Sequence, residues 1–238
     1  GTPINPCNAT ATPSAPVFYP YGPNTAGEGT LSMLRSYAQG DDYVLGQANA
    51  PGQAAAVNLS TTNTTCAGNV ATTVILRDDV PAGTRGIVAL QGKPQLPVPA
   101  GMTTEHWAEP LMFVRVPTPT YEFVVGTGAK ATTPRREIAD TEQCLKCHVG
   151  SLYQHGNTRV DNVTMCIICH NSASSEQNVR VRMGVDKTEA YDGKVGQTYE
   201  FKTMLHAIHS AGLGLDPIVI YRTRGIYAWT AEGETLPN

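Results

Sequence analysis

The chain has 238 residues, of which 41% are hydrophobic and 16% charged, and its formal net charge is −3. This composition excludes an intrinsically disordered chain, which combines low hydrophobicity with high net charge. The charge balance also argues against a general nucleic-acid-binding protein, and no apolar run reaches the length of about 18 residues that predicts a transmembrane segment.

The N-terminal part is predicted to be an extended, proline-rich segment over residues 1–28. Six of the seventeen prolines fall in residues 1–23, where their fixed φ disfavours a helix. The first residues lack the basic and apolar regions of a signal peptide, so we expect a mature or processed chain, or one cut from something longer.

Residues 29–126 are predicted to form an antiparallel β-barrel or β-sandwich domain. A β-rich layer packed on helices is the alternative. Turn signals rich in Gly, Pro and Asp separate short apolar runs. The four predicted strands are residues 70–76, 86–90, 111–116 and 121–125. Residues 127–134, rich in Gly and Thr, are predicted to be a linker.

Residues 135–238 are predicted to form a loop-rich domain with few helices. The best helix candidate runs from Tyr199 to Ser210, because Phe201, Leu205 and Ile208 fall on one face at helical spacing. The segment otherwise has too few large apolar residues for an ordinary core, so we expect something other than side chains to fill its interior.

Two copies of one motif stand in this segment, Cys144-Leu-Lys-Cys147-His148 and Cys166-Ile-Ile-Cys169-His170. Cys-x-x-Cys-His is the attachment signature of c-type haem: two thiols bond the vinyl groups of one porphyrin, and the histidine ligates the iron. A four-cysteine zinc ribbon and a redox dithiol are the alternatives. The histidine at the same offset in both motifs and the sparse core favour two covalent haem c groups. The predicted fold class is therefore α+β and multihaem, a β domain followed by a loop-rich, haem-packed domain.

The sixth ligand of each iron decides the function, since two protein ligands close an iron to substrates and leave electron transfer. His148 and His170 are the proximal ligands, and His155, His206 and His209 are the candidate distal ligands. Met165, Met183 and Met204 are weaker alternatives, and His106 is predicted to be a surface or hydrogen-bonded histidine of the β domain. Three candidates for two irons leave a surplus histidine, which can contact a haem held elsewhere.

The sequence around the motifs resembles the OmcA/MtrC family of outer-membrane decahaem c-type cytochromes. The similar stretches are residues 135–148, 152–159, 161–171 and 201–209. The resemblance covers one β domain plus the first part of a multihaem domain. It implies a split β-barrel, bis-histidine haems and His148, His155, His170, His206 and His209 as iron ligands. Family members carry many more motifs than two, so the chain is expected to be a fragment, shortened at its C-terminus, or a short relative that assembles with neighbours.

The leading functional prediction is a multihaem cytochrome at the extracellular or outer-membrane surface, with the periplasm as the alternative location. Its expected partners are other multihaem cytochromes or copies of itself, and metal oxides or electron shuttles as acceptors. Two further hypotheses are a filament or complex subunit that shares a haem ligand between protomers, and a multihaem reductase with one open iron. An electron-transfer protein is favoured over a substrate-specific enzyme. In the oxidising location where haem c is attached, a Cys7–Cys66 disulfide is predicted.

Overall fold

The computed structural model describes residues 31–46, 52–59, 63–67, 70–74, 79–92, 95–97, 111–113, 115–155, 158–210, 218–222 and 225–229. The chain divides into two compact units. The first comprises residues 1–35 and 55–165, and the second comprises residues 36–54 and 166–238.

The described elements are mainly short strands. They are β1 (Ser32–Gln39), β2 (Asp42–Leu45), β3 (Ala55–Asn58), β4 (Thr64–Ala67), β5 (Val70–Thr73), β6 (Arg85–Gln91), β7 (Gln95–Pro97), β8 (Leu111–Phe113), β9 (Thr120–Val124), β10 (Tyr153–Gln154), β11 (Arg159–Val160), β12 (Ile218–Arg222) and β13 (Gly225–Trp229). The described helices are α1 (Thr141–Leu145), α2 (Val163–Ile167), α3 (Gln177–Met183) and α4 (Phe201–Ser210).

The largest sheet is antiparallel and has the strand order β2-β1-β6-β9, with β3 also paired to β1. Four two-stranded sheets accompany it, β4-β5, β7-β8, β10-β11 and β12-β13. The prediction of a mostly β architecture with few helices is confirmed. Among the described residues these sheets are open and do not close into a barrel.

The pairing of β6 with β9 depends on a glycine. Gly86 lies opposite Phe123, and a Cβ atom on Gly86 would come within 2.6 Å of the Phe123 ring. The ring therefore covers the backbone where a larger residue would collide with it. On the same strand Ile87 and Ala89 are buried, so β6 contributes to the core of the first unit.

Four predicted strands and the predicted helix are found close to their expected positions. β5, β6, β8 and β9 coincide with the four apolar runs, and α4 occupies all but the first two residues of the predicted helix. The stretch predicted as a linker folds back on β9, where Ala131 N–H donates to the Glu122 carbonyl at 3.0 Å. The proposed domain bounds themselves stay a prediction.

The second unit has an interior that is partly ionic. Arg180 and Glu176 are both 0% exposed, and the same unit buries the apolar residues Ile168, Phe201 and Val219. The Arg180 guanidinium donates to Glu176 Oε1 at 2.5 Å and to both carboxylate oxygens of Asp192 at 2.6 Å. This cluster joins α3 to the loop that follows it.

Candidate haem-attachment site

Both Cys-x-x-Cys-His motifs adopt the same hydrogen-bonded turn. In each motif the first cysteine is the fourth residue of a five-residue helix, α1 or α2. The amides of the second cysteine and of the histidine both donate to the carbonyl of the first cysteine. These distances are 3.2 Å from Cys147 and 2.9 Å from His148 to Cys144, and 3.2 Å from Cys169 and 2.9 Å from His170 to Cys166. The backbone hydrogen bonds of the two motifs therefore match residue by residue.

Each motif helix begins at a capping side chain four residues before its first cysteine. Asp140 Oδ1 accepts the Glu142 N–H at 2.9 Å, and Asn162 Oδ1 accepts the Met165 N–H at 3.1 Å. Such caps satisfy amides at a helix N-terminus that have no partner within the helix. Neither residue was predicted from the sequence, although Asp or Asn directly before a short helix is a recognisable signal.

The two motif helices are also linked to each other. The Thr141 hydroxyl at the start of α1 accepts the N–H of Val163, the first residue of α2, at 3.1 Å. Asn162 Nδ2 donates to the Thr118 carbonyl at 2.6 Å and to Thr120 Oγ1 at 3.3 Å. The start of α2 is therefore fixed to α1 and to the polar segment that leads into β9.

The motif cysteines fit the chemistry that haem attachment requires. All four are thiols: Cys147 is exposed, Cys144 and Cys166 are partly buried, and Cys169 is buried. Among the residues the structure describes, no three His, Cys, Asp or Glu side chains are grouped as ligands of a bare metal ion.

His170 has the hydrogen bonding expected of an axial ligand. Its Nδ1 lies 2.8 Å from the Tyr199 carbonyl oxygen, and because that oxygen can only accept, Nδ1 carries the proton. In the neutral ring Nε2 then carries the lone pair, and a hydrogen bond from the other ring nitrogen to a carbonyl is the arrangement found in most metal-ligating histidines. The His170 carbonyl in turn accepts the Phe201 N–H at 2.9 Å, so the start of α4 holds both the ring and the backbone of His170.

Tyr199 also packs edge-on against the His170 ring, with ring centroids 5.7 Å apart. Burial raises the pKa of the Tyr199 hydroxyl above its ordinary value. That hydroxyl lies 3.4 Å from Gln53 Nε2, which also donates to the Cys169 carbonyl at 3.2 Å. Gln53 therefore joins the second motif to the residue that orients its histidine.

The residue after the second motif is a buried anchor. Asn171 is 1% exposed, and its Nδ2 donates to the carbonyls of Tyr43 at 2.9 Å and Gly52 at 2.8 Å. The Ser174 hydroxyl also donates to the Gly52 carbonyl, at 3.2 Å. These contacts hold the motif turn against residues more than one hundred positions earlier in the chain, which no local sequence pattern could reveal.

The candidate distal histidines occupy two different settings. His155 is exposed and has a φ of 54°, directly after β10. His206 and His209 are exposed on α4, and His209 Nδ1 lies 2.8 Å from the Leu205 carbonyl, which orients that ring. His155 lies in the first unit with His148, and the two α4 histidines lie in the second unit with His170.

Helix α4 begins at a capping carboxylate. Glu200 accepts the N–H groups of Lys202 and Thr203, each at 3.2 Å. Burial alone would raise the pKa of Glu200, but these amide donors outweigh it and the pKa is lowered.

Three residues named in the sequence predictions lie wholly or partly outside the residues that the structure describes. Cys7 and His106 are outside the described residues, and only the backbone of Cys66 is described, within β4. The Cys7–Cys66 disulfide and the surface or hydrogen-bonded setting of His106 stay predictions.

Residues 136–232 match the family described as outer membrane cytochrome MtrC/MtrF-like, domains II/IV. This segment is MtrC/MtrF-like. The family predicted from the two motifs is thereby confirmed over residues that include both motifs and α4. No curated protein matches the chain. None of the described helices is long and apolar enough to cross a membrane.

Proposed function

We propose that the chain carries two covalently attached c-type haems and transfers electrons between them and external partners. The observation that carries this proposal is the matching turn of the two motifs, in a segment that matches the outer membrane cytochrome family. A shared backbone geometry at two Cys-x-x-Cys-His sequences is what two equivalent attachment sites require.

Each group of side chains has a specific role in this proposal. Cys144 and Cys147 hold one haem through thioether bonds, and Cys166 and Cys169 hold the other. His148 and His170 are the proximal ligands. His155 and one of the two α4 histidines, His206 or His209, are the distal ligands. When bound, the haem iron supplies reversible one-electron chemistry, ferric to ferrous.

The protein residues orient these ligands. The Tyr199 carbonyl keeps the proton of His170 on Nδ1, which directs Nε2 to the metal and increases its basicity. The caps Asp140 and Asn162 fix the helices from which the first cysteine of each motif projects. Two histidine ligands on each iron would leave no place for a substrate there, which favours electron transfer over catalysis.

The family match supports a position at the outer-membrane surface, where the partners are other cytochromes and the acceptors are metal oxides or electron shuttles. A second candidate is a subunit that donates one α4 histidine to a haem of a neighbouring chain. The exposure of both His206 and His209 favours it, because only one of them is needed in the second unit. A concentration-dependent increase in sedimentation coefficient that disappears in one of the variants H206A and H209A, and persists in the other, would support this assembly.

Intact mass and spectroscopy of the haem-loaded chain test the main proposal. We expect the mass of two haems bound covalently, a low-spin spectrum of the oxidised protein, and no reaction of the reduced protein with carbon monoxide. The double variants C166S/C169S and C144S/C147S are matched controls for each other, and each should retain one haem. A wild-type chain without covalent haem would contradict the proposal, and a fraction that binds carbon monoxide would favour a reductase with an open iron.

A further inference from the structure

The hairpin that carries His155 is too short to fix its own geometry. Strands β10 and β11 pair over two residues each, Tyr153 with Val160 and Gln154 with Arg159. An isolated two-stranded hairpin is marginal in water even when it is longer. The position of His155, at the far end of β10, therefore depends on contacts beyond the strand pairing. The Thr158 hydroxyl donates to the His155 carbonyl at 2.9 Å at the tip, and further contacts hold the base of the hairpin.

Asp161 closes that base with three hydrogen bonds. Its N–H donates to the Leu152 carbonyl at 2.8 Å, and its Oδ1 accepts the Leu152 N–H at 2.7 Å. The same Oδ1 accepts the Ser151 hydroxyl at 3.3 Å. The backbone and side chain of Asp161 thus continue the pairing of β10 with β11 by one more residue.

Each strand of the hairpin is followed by a residue in the left-handed region of backbone conformation. His155 has a φ of 54° and Asp161 a φ of 48°, and they are the only non-glycine residues with positive φ in the described part of the chain. This conformation costs about 1 kcal/mol or more for a residue with a Cβ atom, so the surrounding contacts must maintain it. Asp is among the residue types that adopt it most readily.

Val160, the residue before Asp161, ties the base of the hairpin to Thr118 in the segment before β9. Val160 is 2% exposed, and it exchanges hydrogen bonds with Thr118. The Val160 N–H donates to Thr118 Oγ1 at 3.1 Å, and the Thr118 N–H donates to the Val160 carbonyl at 2.9 Å. Strand β11 is therefore anchored, and Asp161 transmits that anchoring to Leu152 and so to β10.

We infer that Asp161 is a positioning residue that aims His155 at the iron of the haem held by Cys144 and Cys147. Asp161 acts through the base of the hairpin and does not itself contact the haem. This inference rests on the proposed function, since it requires His155 to be an axial ligand.

Two substitutions separate the hydrogen bonds of Asp161 from its backbone conformation. Asp161→Gly permits the left-handed conformation and removes the acceptor, whereas Asp161→Asn keeps both the conformation and an oxygen acceptor. In the haem-loaded chain we expect Asp161→Gly to retain both haems by mass but to open one of them to carbon monoxide, as His155→Ala does. Asp161→Asn should remain closed, like the wild type.

A matched control comes from the other unit. Asp186 likewise accepts a backbone N–H with its side chain, that of Thr188 at 2.6 Å, but it is far along the chain from any candidate ligand. Asp186→Gly should leave both haems closed to carbon monoxide. Hydrogen exchange supplies a readout that does not involve the haem: the Leu152 amide should exchange about tenfold faster in Asp161→Gly than in the wild type.

The possible failures are distinguishable. If His155→Ala leaves both haems closed, His155 is not a ligand and this inference is wrong, while two covalent haems by mass would leave the proposed electron-transfer function intact. If His155→Ala opens a haem and Asp161→Gly does not, Asp161 has no positioning role. If Asp161→Gly does not accumulate as folded protein, Asp161→Ser decides, because its shorter side chain withdraws the acceptor from the Leu152 N–H: a haem open to carbon monoxide would support the inference, and two closed haems would overturn it.

Discussion

Gly52 is required by close packing as well as by backbone conformation. Its φ is 76°, and a Cβ atom there would lie 2.7 Å from the Ser174 nitrogen and 2.8 Å from Asn171 Oδ1. Its carbonyl also accepts from both of those residues, so any displacement of Gly52 would disturb the buried anchor of the second motif.

We therefore predict that Gly52→Ala lowers the free energy of unfolding by about 2–4 kcal/mol, which combines the conformational cost with overpacking. Gly40 is the matched control: its φ is 63°, but a Cβ atom there would have no neighbour within 4 Å. Gly40→Ala should cost only about 1 kcal/mol. Urea unfolding of the haem-loaded variants, followed by circular dichroism, measures both, and equal losses would show that the packing around Gly52 yields to a methyl group.

Helix α3 is held by charge rather than by an apolar stripe. Its one buried residue is Arg180, whose guanidinium also lies 4.2 Å from the centre of the Tyr221 ring. Glu176 completes the cluster by accepting the Tyr221 N–H at 2.8 Å. The hydrogen bonds and charges of the two carboxylates raise the pKa of Arg180, so this cation persists across the accessible pH range.

Burial by itself would raise the pKa of Asp192, but hydrogen bonds and the charge of Arg180 outweigh it and the pKa is lowered. A carboxylate with a depressed folded-state pKa stabilises the protein fully above its unfolded value of about 3.9, and this contribution is lost as the pH falls through the folded value. Asp192→Asn should therefore cost about 3 kcal/mol at pH 7 and progressively less below about pH 4.

Urea unfolding of the wild type and Asp192→Asn at a series of pH values measures this difference. Asp186→Asn is the control, because Asp186 is exposed and lies outside the ion cluster. A deficit in Asp192→Asn that stays constant down to the most acidic sample would mean that the carboxylate contributes packing rather than charge.

The elements that the sequence predicted are those with apolar periodicity. β6 and α4 have alternating or helical apolar patterns, and both were located closely. Helix α3 was missed because its buried residue is an arginine, and β1 was missed because Ser32, Arg35 and Ser36 are buried among its apolar residues. The buried Ser36 hydroxyl of β1 donates to the Leu45 carbonyl of β2 at 2.8 Å. This hydrogen bond forms only when the two strands pair, so the sequence of β1 alone does not predict it.

The sequence predicts candidate ligands for the site, but it does not predict the residues that support them. The spacing of the motifs identifies the cysteines and proximal histidines, since the chemistry requires that spacing. The partner of His170 is a backbone carbonyl, that of Tyr199, which any residue type could supply. Asn171 and Gly52 meet across 119 positions, so only the folded chain brings them together.

At the scale of the whole molecule, each compact unit contains one motif histidine and its own candidate distal ligands. His148 and His155 lie in the first unit, and His170 lies with α4 in the second. Composition instead predicted one haem-packed domain over residues 135–238. Two separate units and one haem-packed domain predict different effects on the rest of the chain when one haem is lost.

If each haem stabilises chiefly its own unit, C166S/C169S should accelerate hydrogen exchange in the second unit, at Asn171 and Tyr221, and leave Ile87 and Val160 in the first unit protected. C144S/C147S should have the reverse effect, because a ligand stabilises the unit that binds it. Intact mass must first establish that each variant retains one haem. If either pair of substitutions removes protection in both units, the two haems support one cooperative core, as the composition of residues 135–238 suggests. The division of the chain into two units then does not extend to its stability.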